Sequence, residues 1–485
     1  MSKKKVTTDT KNTETNPKKI PDLIDEYRTK ARNTIMTILV KDYKFDKKSA
    51  EKAEDAIYVS TSSKMRELYT YKDPFFCLPS DEKGRKRVNI SNSVYPPDFV
   101  NWTETALTIP FYQSLGDTIG YYNGKWEFND GNIRAGPDHI NVMISEFIAL
   151  GGINDLSITN WKASDDTILY LATIEVLSDG FTDITDFGKK IRLAYLRVLP
   201  LILNRHPGES TVNALEIQEN IEWDKMPYNV RTIGNGSAMR SGCIGIFYPG
   251  NHNRKLLISL AVESSRITHN SATAILGSVT AALFTAYALE KIPINLWPHK
   301  LLKLLKSGII DQYMQTSRPT EYPLFKRHKI FFIGQWENYV SLLFSGINPK
   351  KDLPLMDNLV QRYKYLTDNF SKGCDIPGGC ADDVLIMAYH SLLQSEGSFE
   401  KIIVYSILHP GDSDTVGSIA LSWFGAVYNS SKMSLLIGHR FEELEFYDQL
   451  YNLFAYDVPE MPKVYYYDIY MNIARKYLRQ IVGKD

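Results

Sequence analysis

The sequence predicts an all-α protein. Three observations carry this. From about residue 102 onward, apolar residues recur with the helical period over long stretches. Strand-like alternation is scarce and short. No period of 20 to 50 residues repeats, so the helices are expected to share a core instead of stacking as a solenoid. Composition agrees with a folded chain: 44% of the 485 residues are hydrophobic and 23% are charged. A mostly disordered chain needs lower hydrophobicity and a larger net charge. The 56 basic and 56 acidic residues cancel, which argues against a nucleic-acid binder, whose footprint is basic.

Residues 1–20 hold six lysines against Asp9 and Glu14, with little to bury. They read as a disordered basic tail, where a nucleic-acid or targeting role stays open. Residues 21–101 read as an N-terminal extension. After Pro21 and Asp22, Leu23, Tyr27, Ala31, Ile35 and Leu39 recur every four residues. A second, shorter pattern follows Asp46, with Ala50, Ala53 and Ile57 on one face. Residues 72–101 look irregular, with five prolines and glycines and a charged run from Asp81 to Arg87. Residues 102–485 form the main domain, with helices expected at 165–178, 190–204, 256–290, 300–315, 335–346, 383–395, 400–408 and 415–429. Phe441 to Val482 is helical in character too.

Asn270 to Leu289 carries no formal charge over about the length of a membrane-spanning helix. Its scattered Ser, Thr and Asn residues make it a buried helix of a large domain, and no membrane partner is expected. Four cysteines cannot build a disulfide scaffold, and no pair has zinc-finger spacing, although Cys374 and Cys380 are near neighbours. The N-terminus is not a secretory signal. A reducing, cytoplasmic setting is expected.

Two helix starts are unusually acidic. Ser164-Asp165-Asp166-Thr167 leads an apolar run ending at Gly180. Gly411-Asp412-Ser413-Asp414-Thr415 leads another through Trp423 and Val427. Capping accounts for each alone, since Ser or Asp satisfies orphan amides and suits the helix dipole. Taken together, several carboxylates on helices meant for burial are costly without a cation. The oxygen ligands of the two segments suit Mg²⁺, with Mn²⁺ the other candidate, and four carboxylates suffice for two ions. Sequence alone does not bring the two segments together.

These segments and four others, in this order, resemble the ADP-ribosylglycohydrolase family. Gly116 to Phe128 is similar to the family's opening helix and flap, and Trp161 to Thr167 to its first metal motif. Gly234 to Arg240 resembles its glycine-rich ligand loop, and Thr268-His269 its Thr-His pair. Gln335 to Tyr339 is similar to a segment of the ADP-ribosylarginine hydrolase branch, and Gly411 to Thr415 to the second metal motif. The resemblance implies a compact multi-helix domain with two Mg²⁺ ions, cleaving the N-glycosidic bond that joins ADP-ribose to arginine of a modified protein partner. It implies Ser164, Asp165, Asp166, Asp412, Asp414 and Thr415 as metal ligands, and Asp165 or Asp166 as the base. Glu127 matches the flap glutamate, both catalytic and substrate-binding. Gly234, Asn235, Gly236, Ser237, His269 and Asp383 would meet the substrate. One departure concerns specificity: Ala381-Asp382-Asp383 stands where the arginine branch has Gly-His-Asp. Another linkage (serine-linked or O-acetyl-ADP-ribose) and a non-catalytic ADP-ribose binder are the alternatives. The retained aspartates argue against the binder.

Overall fold

The computed structural model describes residues 32–69, 99–129, 136, 138–344, 358–428, 441 and 443–450. The chain divides into two compact units, Met1–Lys83 with Ala455–Asp485, and Gly84–Phe454. The basic tail, residues 21–31 and most of the C-terminal helical stretch lie outside the described residues.

In the first unit, α1 (32–41) and α2 (Lys47–Tyr69) form a helical pair. Asp46 starts α2 by accepting the N–H groups of Lys48 and Ser49, both at 3.1 Å. Ile35, Leu39, Ala50, Ala53 and Ile57 bury one another, on the faces the spacing anticipates. Arg32 holds Glu54 with a two-pronged bond at 2.7 and 2.6 Å.

The second unit is a helical assembly. It comprises α3 (Phe99–Tyr121), α4 (His139–Ala149), α5 (Gly152–Asp155), α6 (Asp165–Asp179), α7 (Ile184–Ile202), α8 (Glu209–Gln218), α9 (Gly242–Phe247) and α10 (Arg254–Arg266). It continues with α11 (Ala272–Leu289), α12 (Trp297–Lys306), α13 (Ile309–Ser317), α14 (Tyr322–Phe344), α15 (Leu359–Phe370), α16 (Asp383–Ser395), α17 (Phe399–Ile407) and α18 (Ser413–Tyr428). Among the described residues no strand occurs, and a single bridge joins Gly234 to Cys380.

Two expected helices are broken in the structure, and one stretch expected to be irregular is helical. The span 256–290 is broken between α10 and α11. Thr268 and His269 turn back to the Ser265 carbonyl, and Ser271 restarts the helix by accepting the Ala274 N–H at 3.2 Å. The span 300–315 breaks at Gly308, whose φ of 82° ends α12. Residues 99–101, expected to be irregular, already belong to α3.

Helix α11 is the centre of the core and is buried along its whole length. By length and apolarity it alone, among the described residues, is suited to crossing a membrane, yet every residue is covered by protein. Its Phe284 ring lies 5.2 to 5.6 Å from Trp297, Trp336, Tyr389 and Trp423. Trp336 and Tyr339 of the Gln335–Tyr339 segment are therefore core residues, and Gln335 is the member of that segment that reaches toward the site.

Helices α3 and α18 touch backbone to backbone. A Cβ on Gly116 would stand 2.3 Å from the Gly417 carbonyl oxygen, and one on Gly120 2.5 Å from that of Ser413. The pairing order runs in opposite directions, so the helices are antiparallel. Only glycine permits this approach, and it sets the helix that carries Asp117 against α18. Gly116→Val is expected to destabilise the fold by about 2–3 kcal/mol. Gly334→Ala, in α14 with open space around it, should stabilise by about 0.5–1 kcal/mol. Denaturant unfolding of both variants checks the contrast, and equal effects would contradict it.

Candidate active site

The starts of α6 and α18 meet. Ser164 caps α6, its hydroxyl accepting the Asp166 N–H at 3.1 Å. A second cap comes from α3. Asp117 accepts the N–H of Ser164 at 3.1 and 3.2 Å with its two oxygens, the N–H of Thr167 at 3.1 Å, and the Thr167 hydroxyl. The orphan amides of α6 are thus met by Ser164 and Asp117, which leaves Asp165 and Asp166 free of capping duty. Across from them, Asp412 and Asp414 both accept the Thr415 N–H, at 3.3 and 2.8 Å. Thr415 and Ser418 then donate their hydroxyls to Asp166, at 3.3 and 2.8 Å. Those two bonds join the acidic segments that the sequence leaves apart.

Glu127 sits in a short 3₁₀ turn, Glu127–Asn129. The turn is pinned to the second acidic segment, because the Phe128 N–H donates to the Gly411 carbonyl at 3.2 Å. The Glu127 side chain is 3% exposed. Among the described residues its Oε2 receives no hydrogen bond, and it stands 3.3 Å from Nδ1 of His206.

Burial raises the carboxyls of Glu127, Asp165, Asp166 and Asp414 well above their ordinary range, and the charges of neighbouring acids raise them further. Asp412 is raised by burial and eased by bonds from Thr415 and Asn235. The Asp165 carboxylate is eased by its own backbone N–H and by the charge of Arg240. Buried acids this close are stabilised either by protons or by a hard cation. Carboxylates with hydroxyls as the other donors suit a hard cation of the Mg²⁺ type. Ser164, Asp165, Asp166, Asp412, Asp414 and Thr415 could hold such a cation between the two helix starts. Another group of ligating atoms, those of Cys374, Cys380 and Asp383, lies within 4.8 Å of one another. There the two sulfurs are joined in a disulfide, so they are not free for a cation.

The glycine-rich loop reaches the same place through Asn235. Its Nδ2 donates to Asp412 Oδ2 and to the Gly378 carbonyl, both at 2.7 Å. His269 packs under the loop: Cβ atoms on Gly234 and Gly236 would lie 3.3 and 2.8 Å from its ring. Burial and Arg240 lower His269 to about 3, so it is neutral. Thr268 Oγ1 accepts from Arg240 and lies 2.8 Å from His269 Nδ1. Ser237 turns inward and donates to the Ala274 carbonyl at 3.1 Å.

Asp383 is buried with both oxygens in use, accepting the N–H groups of Gly378 at 2.8 Å and Cys380 at 3.0 Å. It anchors the 376–380 loop and is pushed up to about 8 by burial and Asp382. Asp382, in the histidine's place, accepts from Gln335 Nε2 at 3.0 Å.

Sequence reasoning missed Asp117, Ser418 and His206 as site residues. An acid inside the apolar α3 pattern was a usable signal for Asp117, because a buried carboxylate demands donors. Ser418 and His206 carry no local signal, since each depends on a neighbour far away in the chain.

The raised carboxyls mean that the folded chain holds protons that the unfolded chain has lost. Cation-free stability therefore falls as pH climbs above about 4, the ordinary carboxylate value, until the raised values are passed. Asp165→Asn removes one of these charges. It should raise the cation-free melting temperature at pH 8 by about 2–4 °C and shrink the further rise that Mg²⁺ produces. Calorimetry with chelator and with Mg²⁺ reads both, and a lower cation-free melting temperature in the variant would count against the electrostatic account.

The ADP-ribosylglycohydrolase family profile matches residues 113–457. A protein of Acanthamoeba polyphaga mimivirus that carries the name ADP-ribosyl glycohydrolase L444 is 53% identical over 469 residues, 95% of this chain and 90% of its own. ADP-ribosylhydrolase ARH1 of Dictyostelium discoideum is 31% identical over 339 residues, 65% of this chain and 84% of its own. A solved chain described as an ADP-ribosylglycohydrolase-related protein complex aligns with a TM-score of 0.43 and 18% identity, covering 77% of this chain and 99% of that one.

Proposed function

This chain belongs to the ADP-ribosylglycohydrolase family and so is a hydrolase of ADP-ribosyl glycosidic bonds; we propose that it uses two Mg²⁺ ions to free ADP-ribose from arginine of modified proteins. The observation that carries the metal reading is the meeting of Asp165 and Asp166 with Asp412 and Asp414, joined through Thr415 and Ser418. The arginine reading is supported by the resemblance of the Tyr121–Phe128 and Gln335–Tyr339 segments to the arginine branch. A guanidinium leaving group is cationic, and residues 101–485 hold 41 acids against 35 bases, a balance suited to it.

When bound, Mg²⁺ supplies charge compensation and Lewis acidity at the ribose. The protein's own residues do the rest. Asn235 fixes Asp412 by its 2.7 Å bond, so that this carboxylate keeps one orientation. Ser418 does the same for Asp166. Asp165 or Asp166, held in its raised, proton-accepting range by burial, takes the proton from the attacking water. Glu127, tied to Gly411 through Phe128, closes over the reacting ribose and excludes bulk water. Gly234 and Gly236 let the loop lie against His269, and the loop's backbone amides are offered to the diphosphate.

The test compares arginine-linked and serine-linked ADP-ribosylated proteins, with Mg²⁺ or with chelator. Release from the arginine substrate, abolished by chelator, is the expected result. Asp165→Ala and Asp166→Ala should each lower kcat by about 10²–10⁴-fold. Preferential release from serine would overturn the linkage assignment, and undiminished turnover in chelator the metal assignment.

A further inference from the structure

Cys374 and Cys380 flank a short loop beside the candidate site, and their Cα atoms lie 5.9 Å apart across the disulfide. Three successive carbonyls of this loop serve the site. The Pro377 oxygen accepts the Asp412 N–H at 2.9 Å, and the Gly379 oxygen accepts the Asn235 N–H at 3.1 Å. The Gly378 oxygen accepts Asn235 Nδ2 at 2.7 Å, the same nitrogen that holds Asp412 Oδ2. The fit is tight from both sides. A Cβ on Gly411 would stand 2.2 Å from the Pro377 oxygen, and one on Gly378 3.2 Å from the Asp412 Cβ. Asp383 fastens the inner end of the loop through the Gly378 and Cys380 amides. At the outer end, Cys374 is fixed by one main-chain bond to Ser371, at 3.0 Å, and by the disulfide.

We propose that the Cys374–Cys380 bond is a strap that positions Asp412 and Asn235, so that thiol reduction weakens cation and ADP-ribose binding at the site. Both cysteines act as positioning residues, through the carbonyls they hold in place. This rests on the hydrolase reading above for the identity of the ligands. Reduction by an external dithiol is balanced simply. The S–S bond takes two electrons, each sulfur takes a proton, and the reductant closes its own disulfide. Cys374 is partly exposed and offers the point of attack, while Cys380 is covered. Cys243, the free cysteine among the described residues, is buried and lies outside this loop.

The full chain is prepared oxidised, reduced, and as Cys374→Ser and the Cys374→Ser, Cys380→Ser double variant, with free thiols counted. Mn²⁺ affinity is read by electron paramagnetic resonance of the free ion, and ADP-ribose affinity by calorimetry. The reduced wild type and both variants should bind each ligand about tenfold more weakly than the oxidised form, the scale for losing an outer partner of a metal ligand. The variants should not respond to dithiol, and reoxidation should restore the wild type. If reduction lowers the melting temperature but leaves both affinities unchanged, the bond is a plain staple and the proposal is overturned. A dithiol response that persists in the double variant overturns it as well. If the oxidised protein binds both ligands but frees ADP-ribose from no linked substrate, the hydrolase reading fails and the strap stands.

Discussion

Carboxylates at the starts of α6 and α18 repel one another inside the protein, and the surrounding structure is arranged to hold them there. Glu127, Asp165, Asp166, Asp412 and Asp414 are all buried. Their charges push one another's pKa values up. A fold that gathers such a cluster needs fixed donors and tight neighbours, or the helix starts would separate. Asp117 supplies the first by capping α6 from α3. The glycine contact of α3 with α18 supplies the second. The core around α11, with Phe284 among four large aromatic rings, gives these helices something rigid to rest on.

Each neighbour of the cluster does two things at once. Asp117 completes the α6 cap and thereby releases Asp165 and Asp166 from capping. Asn235 ties the glycine-rich loop to Asp412 and, through Gly378, to the disulfide-closed loop. His269 fills the space under Gly234 and Gly236 while its neutral ring stays clear of the cluster's negative field. The polar network is dense because charge buried in a low-dielectric interior leaves little room for a missing partner. Among the described residues one Glu127 oxygen receives no hydrogen bond and stands 3.3 Å from His206 Nδ1.

Much of this was legible in the chain. Helical periodicity announced α6, α11 and α18, and the acidic starts of the first and last stood out because apolar helices rarely begin with several carboxylates. Less legible were the breaks. The restart at Ser271 hides inside a continuous apolar run, since a serine there reads equally well as a helix residue or as a cap. Asp383 was visible as an acid but not as the anchor of a loop, because its partners are amides, which every residue possesses. The pairing of Cys374 with Cys380 was not expected either: six residues of chain allow many separations, and only the compact turn brings the two within bonding reach.

The sequence by itself determined the helical class, helices such as α6, α16, α17 and α18, the identity of the acids and their order along the chain, because period, caps and residue chemistry are local properties. It also carried the family resemblance, since the motifs are contiguous runs. The tertiary structure alone decided that Asp166 meets Thr415 and Ser418, some 250 positions away, that Asp117 caps a helix other than its own, and that the disulfide loop touches Asp412. Each of these depends on which surfaces pack, and packing is settled by the joint fit of all the helices, with glycines 116 and 417 allowing the one approach that closes the site.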